Sequence, residues 1–334
     1  MIIDGIKNVL FRVSGLMLRR GPLAGIARRY FRDRAAVVFY HGVWGDRCPR
    51  RRLFGGMRLS DFAAEMRRLK SFFEIIPLSQ ILQNPADART TSARPTLALT
   101  FDDGLDLTSA GATDVLDGLS IRATMFVNTA SLAGGHLMWM HRFSVIRARR
   151  GENVLLREFN RIQEKHQSGR AIARLEELIA AARAWPQKRK EEWAAEIWDS
   201  AGLGPVQEFL GEHRPYLDVD ALRDWTRRGH EVGFHTHSHP FCSQLSDDLL
   251  DREVLRPVAE LNSAIGVNAM PLAYPFGDRC RPEHEQTLRR SGLFSALIGT
   301  AGFSMKPVNP FTLERVEAER GIDREVFGKP ILRG

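Results

Sequence analysis

The chain has 334 residues, 43% of them hydrophobic, with 48 Lys and Arg against 40 Asp and Glu for a net charge of +8. That length and apolar content read as globular, one large α/β domain or two small ones with a substantial core. Cys48, Cys242 and Cys280 lie far apart with no C-x-x-C pair, which argues against a thiolate zinc site and a disulfide framework and reads as reduced, intracellular thiols.

Ile3, Ile6, Val9, Leu10, Val13, Leu16 and Met17 recur at helical spacing, with Lys7, Arg12, Arg19, Arg20, Arg28, Arg29, Arg32 and Arg34 among and after them. Residues 1–34 therefore read as a basic amphipathic helical segment, either lying on an anionic membrane or docked on the chain's own domain. Arg12, Arg19 and Arg20 interrupt the apolar run, and no small-residue cleavage site follows. The expectation is a cytoplasmic protein, peripheral on the inner face of the membrane where the basic segment engages it. The basic excess suits an anionic partner, but there is no zinc-finger spacing, basic-aromatic RNA motif or concentrated basic tail, so no nucleic-acid partner is expected.

Further along, short β-branched runs alternate with helical patterns, as parallel βα units do. The predicted strands are Ala35–Tyr40, Phe73–Ile76, Thr96–Phe101, Ile121–Val127, Glu231–Phe234, Pro271–Tyr274 and Phe294–Ile298. The predicted helices are Ser60–Phe72 with Ser60 as cap, Leu107–Leu119, Asp218–Arg228 stopped by Gly229, Ser246–Ile265, and Pro282–Ser291 stopped by Gly292. This repeat points to a closed or nearly closed barrel over residues 35–334. The rhythm breaks between Trp139 and Tyr216, where "RAIARLEELIAAARA" and "RKEEWAAEIWDSAG" are helical in composition. Residues 139–216 read as a helical insertion on a βα loop, with Trp185, Trp193 and Trp198 as core or interface residues.

Three stretches sit where predicted strands end: "FYHGV" with His41, "TFDDG" with Asp102 and Asp103, and "GFHTHSHP" with His235, His237 and His239. In a parallel barrel those ends share one rim, where active sites are found. His235 and His239 suit one cation with an aspartate as the third protein ligand, leaving positions open for water and substrate. His237 alternates with them and reads as structural or supporting. The paired acids then divide the work, one carboxylate on the metal and the other a free general base.

Together these stretches resemble the polysaccharide deacetylases, also called NodB-homology or carbohydrate esterase family 4 domains. "TFDDG" is similar to the family's first motif and "HTHSH" to its second, H-[ST]-x-x-H; "AYPFG" (273–277) is similar to the third in the branch with Y-P-[FY]-G. The resemblance runs from about Val37 to Arg315 and implies an α/β fold, a distorted parallel (β/α)7 barrel of the NodB-homology type. It implies Asp102 as base, Asp103, His235 and His239 as metal ligands, and the Phe276 backbone N–H as oxyanion donor. Zinc suits that ligand set, and cobalt, nickel or iron fit it too. Two family features are missing: the arginine of R-P-P-Y, whose loss leaves the partner of the base unassigned, and a C-terminal L-x-H histidine. Another branch supplies that histidine from an N-terminal Y-H-x-V, which "YHGV" (40–43) resembles, and this makes His41 the general acid.

The implied reaction removes an N-acetyl or N-formyl group from an amino sugar, on a glycan or on a lipid-linked glycan precursor. The competing expectations are a catalytically silent glycan-binding barrel and an amide hydrolase of a non-sugar small molecule.

Overall fold

The computed structural model describes residues 29–83, 94–132 and 134–318. The amphipathic pattern over residues 1–28 lies outside the described residues. Strands β1 (Arg34–Tyr40), β2 (Thr96–Phe101), β3 (Ala123–Val127), β4 (Glu231–Phe234), β5 (Met270–Ala273) and β6 (Phe294–Gly299) pair in that order, all parallel. All but the first residue of β1 and every residue of β2 are buried, as a sheet covered on both faces requires.

The ring comes to near closure through a stave that sequence periodicity did not reveal. β7 (Leu313–Glu314) pairs with β6, and β8 (Val316–Glu317) pairs with β1, the two separated only by Arg315. The Arg315 N–H donates to the Gly299 carbonyl at 3.2 Å and the Ala318 N–H to the Phe39 carbonyl at 3.0 Å, tying both sides of the seam. The predicted strand at Phe73–Ile76 is not a stave: it shrinks to Glu74–Ile75, paired only with Thr96 and Leu97 at the start of β2. Its two paired residues are half-buried rather than enclosed, so there is less apolar burial to extend the pairing.

Most helices fall where their caps and stops place them. The Asp218 side chain accepts the Ala221 N–H at 2.8 Å and starts the helix Val219–Arg227. Two helical expectations are corrected. Leu59–Phe72 begins before Ser60, whose N–H donates to Asp46 at 3.0 Å, so the cap comes from a neighbouring loop. The predicted Leu107–Leu119 helix starts only at Ala112, because Asp106 accepts from the N–H groups of Thr108 and Ser109 and holds a turn there.

The segment after β3 is helical, from Trp139–Arg150 and Glu152–Lys165 to Lys190–Ser200 and Val206–His213. It packs a hydrophobic core of its own, in which Trp185, Trp193 and Trp198 are all buried. That core is continuous with Trp44, Phe54 and Phe241, which lie in the connections that follow the first and fourth barrel strands, Trp44 in the short strand Val43–Trp44 and Phe54 at the end of the helix Arg50–Phe54. The insertion thus lies on the rim side.

Candidate active site

A strand's period of two decides which side chains enter the barrel. Ala35 and Val37 of β1, Ala98 of β2, Phe126 of β3 and Leu313 of β7 all belong to one small buried cluster of the interior. Continuing each alternation past the strand end brings His41, Asp102, Asn128 and Arg315 toward the same top layer. Interior packing is tight there: a Cβ on Gly233 would meet the Phe126 ring at 2.4 Å, and that ring lies 5.0 Å from the Arg315 guanidinium.

Arg315 is fully buried, and its two terminal nitrogens each lie 2.6 Å from a different oxygen of Asp102, a bidentate pair. Nη1 also reaches the Thr100 hydroxyl at 3.2 Å, and the Phe39 ring backs the guanidinium at 4.5 Å. Burial alone would raise the Asp102 carboxyl, but the charge and the hydrogen bonds of the Arg315 guanidinium pull the other way, and the group lies below its ordinary value. Asp102 is therefore a carboxylate at neutral pH.

Neighbouring residues on a strand point to opposite faces, yet Asp102 and Asp103 face one imidazole. His235 Nε2 lies 3.8 Å from Asp102 Oδ2 and 3.7 Å from Asp103 Oδ1. The backbone explains it: Asp103 has φ 69°, so the chain leaves the extended conformation at the second acid. Thr236, His239 and Phe276 also have positive φ, at 68°, 61° and 57°. Left-handed backbone at four non-glycine residues around one spot is strain that the surrounding bonds must hold in place. Some of those bonds are visible: Asn128 Nδ2 donates to the His235 carbonyl, and the His239 N–H donates to the Thr236 hydroxyl at 3.2 Å.

Asp103, His235 and His239 form, among the described residues, the one cluster of potential ligands whose donor atoms all lie within 4.8 Å of one another. Asp103 Oδ1 is buried without a hydrogen-bond partner and stands 3.5 Å from His239 Nε2. His235 Nδ1 bonds the Ala273 carbonyl at 2.7 Å, which requires the proton on Nδ1 and leaves Nε2 with a free lone pair. Burial pushes the His239 imidazole down to about 3 and lowers that of His235 too, so both rings are neutral. An orphaned carboxylate oxygen facing two neutral imidazoles is the donor set a divalent cation takes, with room left for further ligands.

The insertion reaches this cluster directly. Trp139 Nε1 donates to the His239 carbonyl at 3.2 Å. His141 Nε2 is 3.5 Å from Asp103 Oδ2, and its Nδ1 is 2.6 Å from the Tyr216 hydroxyl. On the other side Phe276 sets its ring edge-on to His239 with centroids 4.6 Å apart and stacks on Phe241 at 4.5 Å. Arg183 of the insertion clamps that wall, bonding Asp278 at 2.7 Å and the Ser243 hydroxyl at 2.9 Å.

Of the residues picked from sequence, Asp102, Asp103, His235, His239 and Phe276 are brought together, and His41 is half-buried close enough for its charge to bear on both acids. His237 stands apart, its Nδ1 2.9 Å from the Thr129 hydroxyl and its N–H donating to the Glu253 carbonyl. That carbonyl is available because Pro257, four residues on, has no N–H to offer it. Arg315, His141 and Tyr216 were missed. The missing family arginine was a signal that some cation had to be found elsewhere, but nothing local marked Arg315 as that group.

The family model described as polysaccharide deacetylase matches residues 190–293, a span that holds His235, His239 and Phe276 but not the paired acids. No curated protein matches the chain in sequence. Among solved structures the chain is similar to the Streptococcus pyogenes deacetylase PplD in complex with acetate, at 13% identity and TM-score 0.54, over 85% of this chain and 92% of that one. IcaB from Ammonifex degensii is similar at 17% identity and TM-score 0.53, over 85% and 91% of the two chains. A de-N-acetylase from Aggregatibacter actinomycetemcomitans is similar at 13% identity and TM-score 0.52, over 86% and 97%. At such identities the likeness establishes the fold, a nearly closed parallel barrel of the deacetylase type.

Proposed function

Starting from a chain with the polysaccharide deacetylase sequence match and the deacetylase fold, we propose that it is a metal-dependent hydrolase of N-acylated amino sugars. The observation that carries this reading is the unpartnered Oδ1 of Asp103 facing His235 and His239, beside an Asp102 kept ionised by Arg315. Asp103, His235 and His239 would hold the cation, zinc before cobalt, nickel or iron, and it would supply Lewis-acid polarisation and a more acidic water.

The chain's own residues do the rest. Asp102 takes the proton of the attacking water. The Phe276 N–H donates to the oxygen that gains charge as the amide carbonyl becomes tetrahedral. His41 then gives a proton to the departing amine, so that the C–N bond breaks to a free amino sugar and a carboxylate. Acetate bound to PplD supports an acetyl group as the one removed.

A lipid-linked glycan precursor is the substrate we favour, with a soluble amino-sugar glycan second. Support comes from the net charge of +8 and from exposed Arg47 and Arg52 on the segment that follows His41, since such precursors carry phosphate at an anionic membrane. Among the described residues no helix is long and apolar enough to cross a membrane. Contact with the lipid surface would therefore be peripheral.

The test is acetate and formate release, with and without chelator, from soluble amino-sugar oligomers and from a lipid-linked glycan extract, using wild type and Asp102→Asn. Chelator-sensitive release that Asp102→Asn abolishes while zinc content stays unchanged supports the enzyme. Glycan binding with no release from either pool would replace it with a silent barrel.

A further inference from the structure

The two ends of the helical insertion meet at Asp103. His141 lies in the insertion's first helix and Tyr216 just beyond its last, and their rings stack with centroids 5.7 Å apart and planes at 27°. The segment around Tyr216 is stitched to the loop that follows the paired acids: the Asp106 N–H donates to the Pro215 carbonyl at 2.8 Å and the Leu217 N–H to the Gly104 carbonyl at 2.9 Å. His141 is itself 3% exposed, with Phe54 packed edge-on against its ring.

Proton bookkeeping gives this pair a direction. The Tyr216 oxygen accepts the Met138 N–H at 3.3 Å, and burial raises the phenol so that it keeps its proton. Of the two groups that could take that proton, the Ser131 hydroxyl and His141 Nδ1 at 2.6 Å, we assign it to His141. A His141 that accepts at Nδ1 carries its own proton on Nε2, the atom 3.5 Å from Asp103 Oδ2. In that arrangement the protons of Tyr216 and His141 each have an acceptor, and Oδ1 of Asp103 remains unpartnered.

We infer that His141 and Tyr216 are positioning residues of the metal centre: Tyr216 sets the tautomer of His141, and His141 holds Asp103 by Oδ2 so that Oδ1 alone is presented to the cation. This rests on the metal reading proposed above and gives the insertion a part in the site. His141 is not a ligand in this arrangement, because its facing nitrogen is protonated.

The experiment measures zinc affinity by competition with a chromophoric chelator, on the full chain, alongside thermal melting. His141→Ala should bind one zinc about 10- to 100-fold more weakly, the range for losing a group that orients a ligand. His141→Gln should stay within about threefold of wild type, because a glutamine amide N–H can stand in for Nε2–H. Tyr216→Phe, which removes one oxygen and should fold, is expected to bind about three- to tenfold more weakly, a smaller loss than His141→Ala because the imidazole remains. Unchanged affinity in both Tyr216→Phe and His141→Ala overturns the inference. So does a His141→Gln protein as weak as His141→Ala, which would make the imidazole itself a ligand. If His141→Ala fails to fold, an unchanged Tyr216→Phe is enough to reject the pair. A wild-type protein that takes up no zinc, cobalt, nickel or iron removes the metal reading and this inference together, an outcome distinct from a loss confined to the variants.

Discussion

Arg315, at the break between the two short strands that close the barrel, grips both oxygens of Asp102 at 2.6 Å. One residue thus serves both the seam, through its backbone N–H to Gly299, and the ionisation of the proposed base, through its side chain. Replacing it with Met leaves a buried carboxylate uncompensated, so Arg315→Met should lose about 3–5 kcal/mol of stability in urea unfolding at neutral pH. The double variant Asp102→Asn/Arg315→Met should recover part of that loss, since the stranded charge is gone. Arg315→Lys keeps a charge without the two-pronged geometry. It should fold and move the acidic limb of the pH–rate profile upward, and an unmoved limb would mean that Arg315 does not hold the base.

His41 is assigned the proton that the leaving amine needs. Its ring sits edge-on to Phe39 with centroids 5.6 Å apart, at the end of β1. His41→Gln should slow amide hydrolysis by about 10²- to 10⁴-fold at unchanged zinc content, the usual worth of a general acid. An activated aryl acetate, whose leaving group departs without a proton, should be slowed far less by the same variant. Equal slowing of amide and aryl ester would place His41 in binding or structure instead.

Much of this arrangement is legible in the residues, for reasons that also show where legibility stops. Asp102, Asp103, His235 and His239 stand out because each adjoins a strand long enough to read, and strand ends of a parallel barrel share a rim. Leu313 to Glu317 is too short to carry a period, so the closing stave and Arg315 with it give no local signal. His141 is hidden differently: it lies among Trp139, Phe143 and Ile146 on a buried helix, where a histidine reads as core. Which end of a long insertion returns to the site is a matter of tertiary packing. No spacing in the sequence encodes the meeting of His141 with Tyr216, 75 residues apart.

Removing the metal should cost stability as well as activity. Asp103 Oδ1 is buried and unpartnered in the protein alone, and a cation that binds only the folded state adds RT ln(1 + [metal]/Kd). With free zinc at 100 times Kd this is about 2.7 kcal/mol, so chelation should lower the melting temperature measurably. His239→Ala should melt at the same temperature with and without zinc. A wild-type melting curve indifferent to chelator, on protein shown beforehand to contain metal, would count against a site that is coupled to folding.

A histidine remote from the chemistry should shape the acid stability of the fold. His230 is 4% exposed, stacks on Trp225 with centroids 4.0 Å apart, and its Nδ1 accepts the Ala123 N–H at 3.2 Å, which needs the neutral ring. Burial pushes its pKa down from 6.5 to about 4, with Asp117 opposing the shift. Between these two values the unfolded chain binds a proton at this position that the folded chain does not, so unfolding gains as the pH falls. The stability contributed by the neutral ring is thus complete above pH 6.5, declines toward pH 4 and is gone below it, a loss on the order of 2 kcal/mol. His230→Asn keeps an acceptor for the Ala123 N–H but cannot titrate. Urea unfolding free energies of wild type and His230→Asn should therefore converge as the pH is lowered through that window, and parallel curves would show that His230 protonates alike in both states.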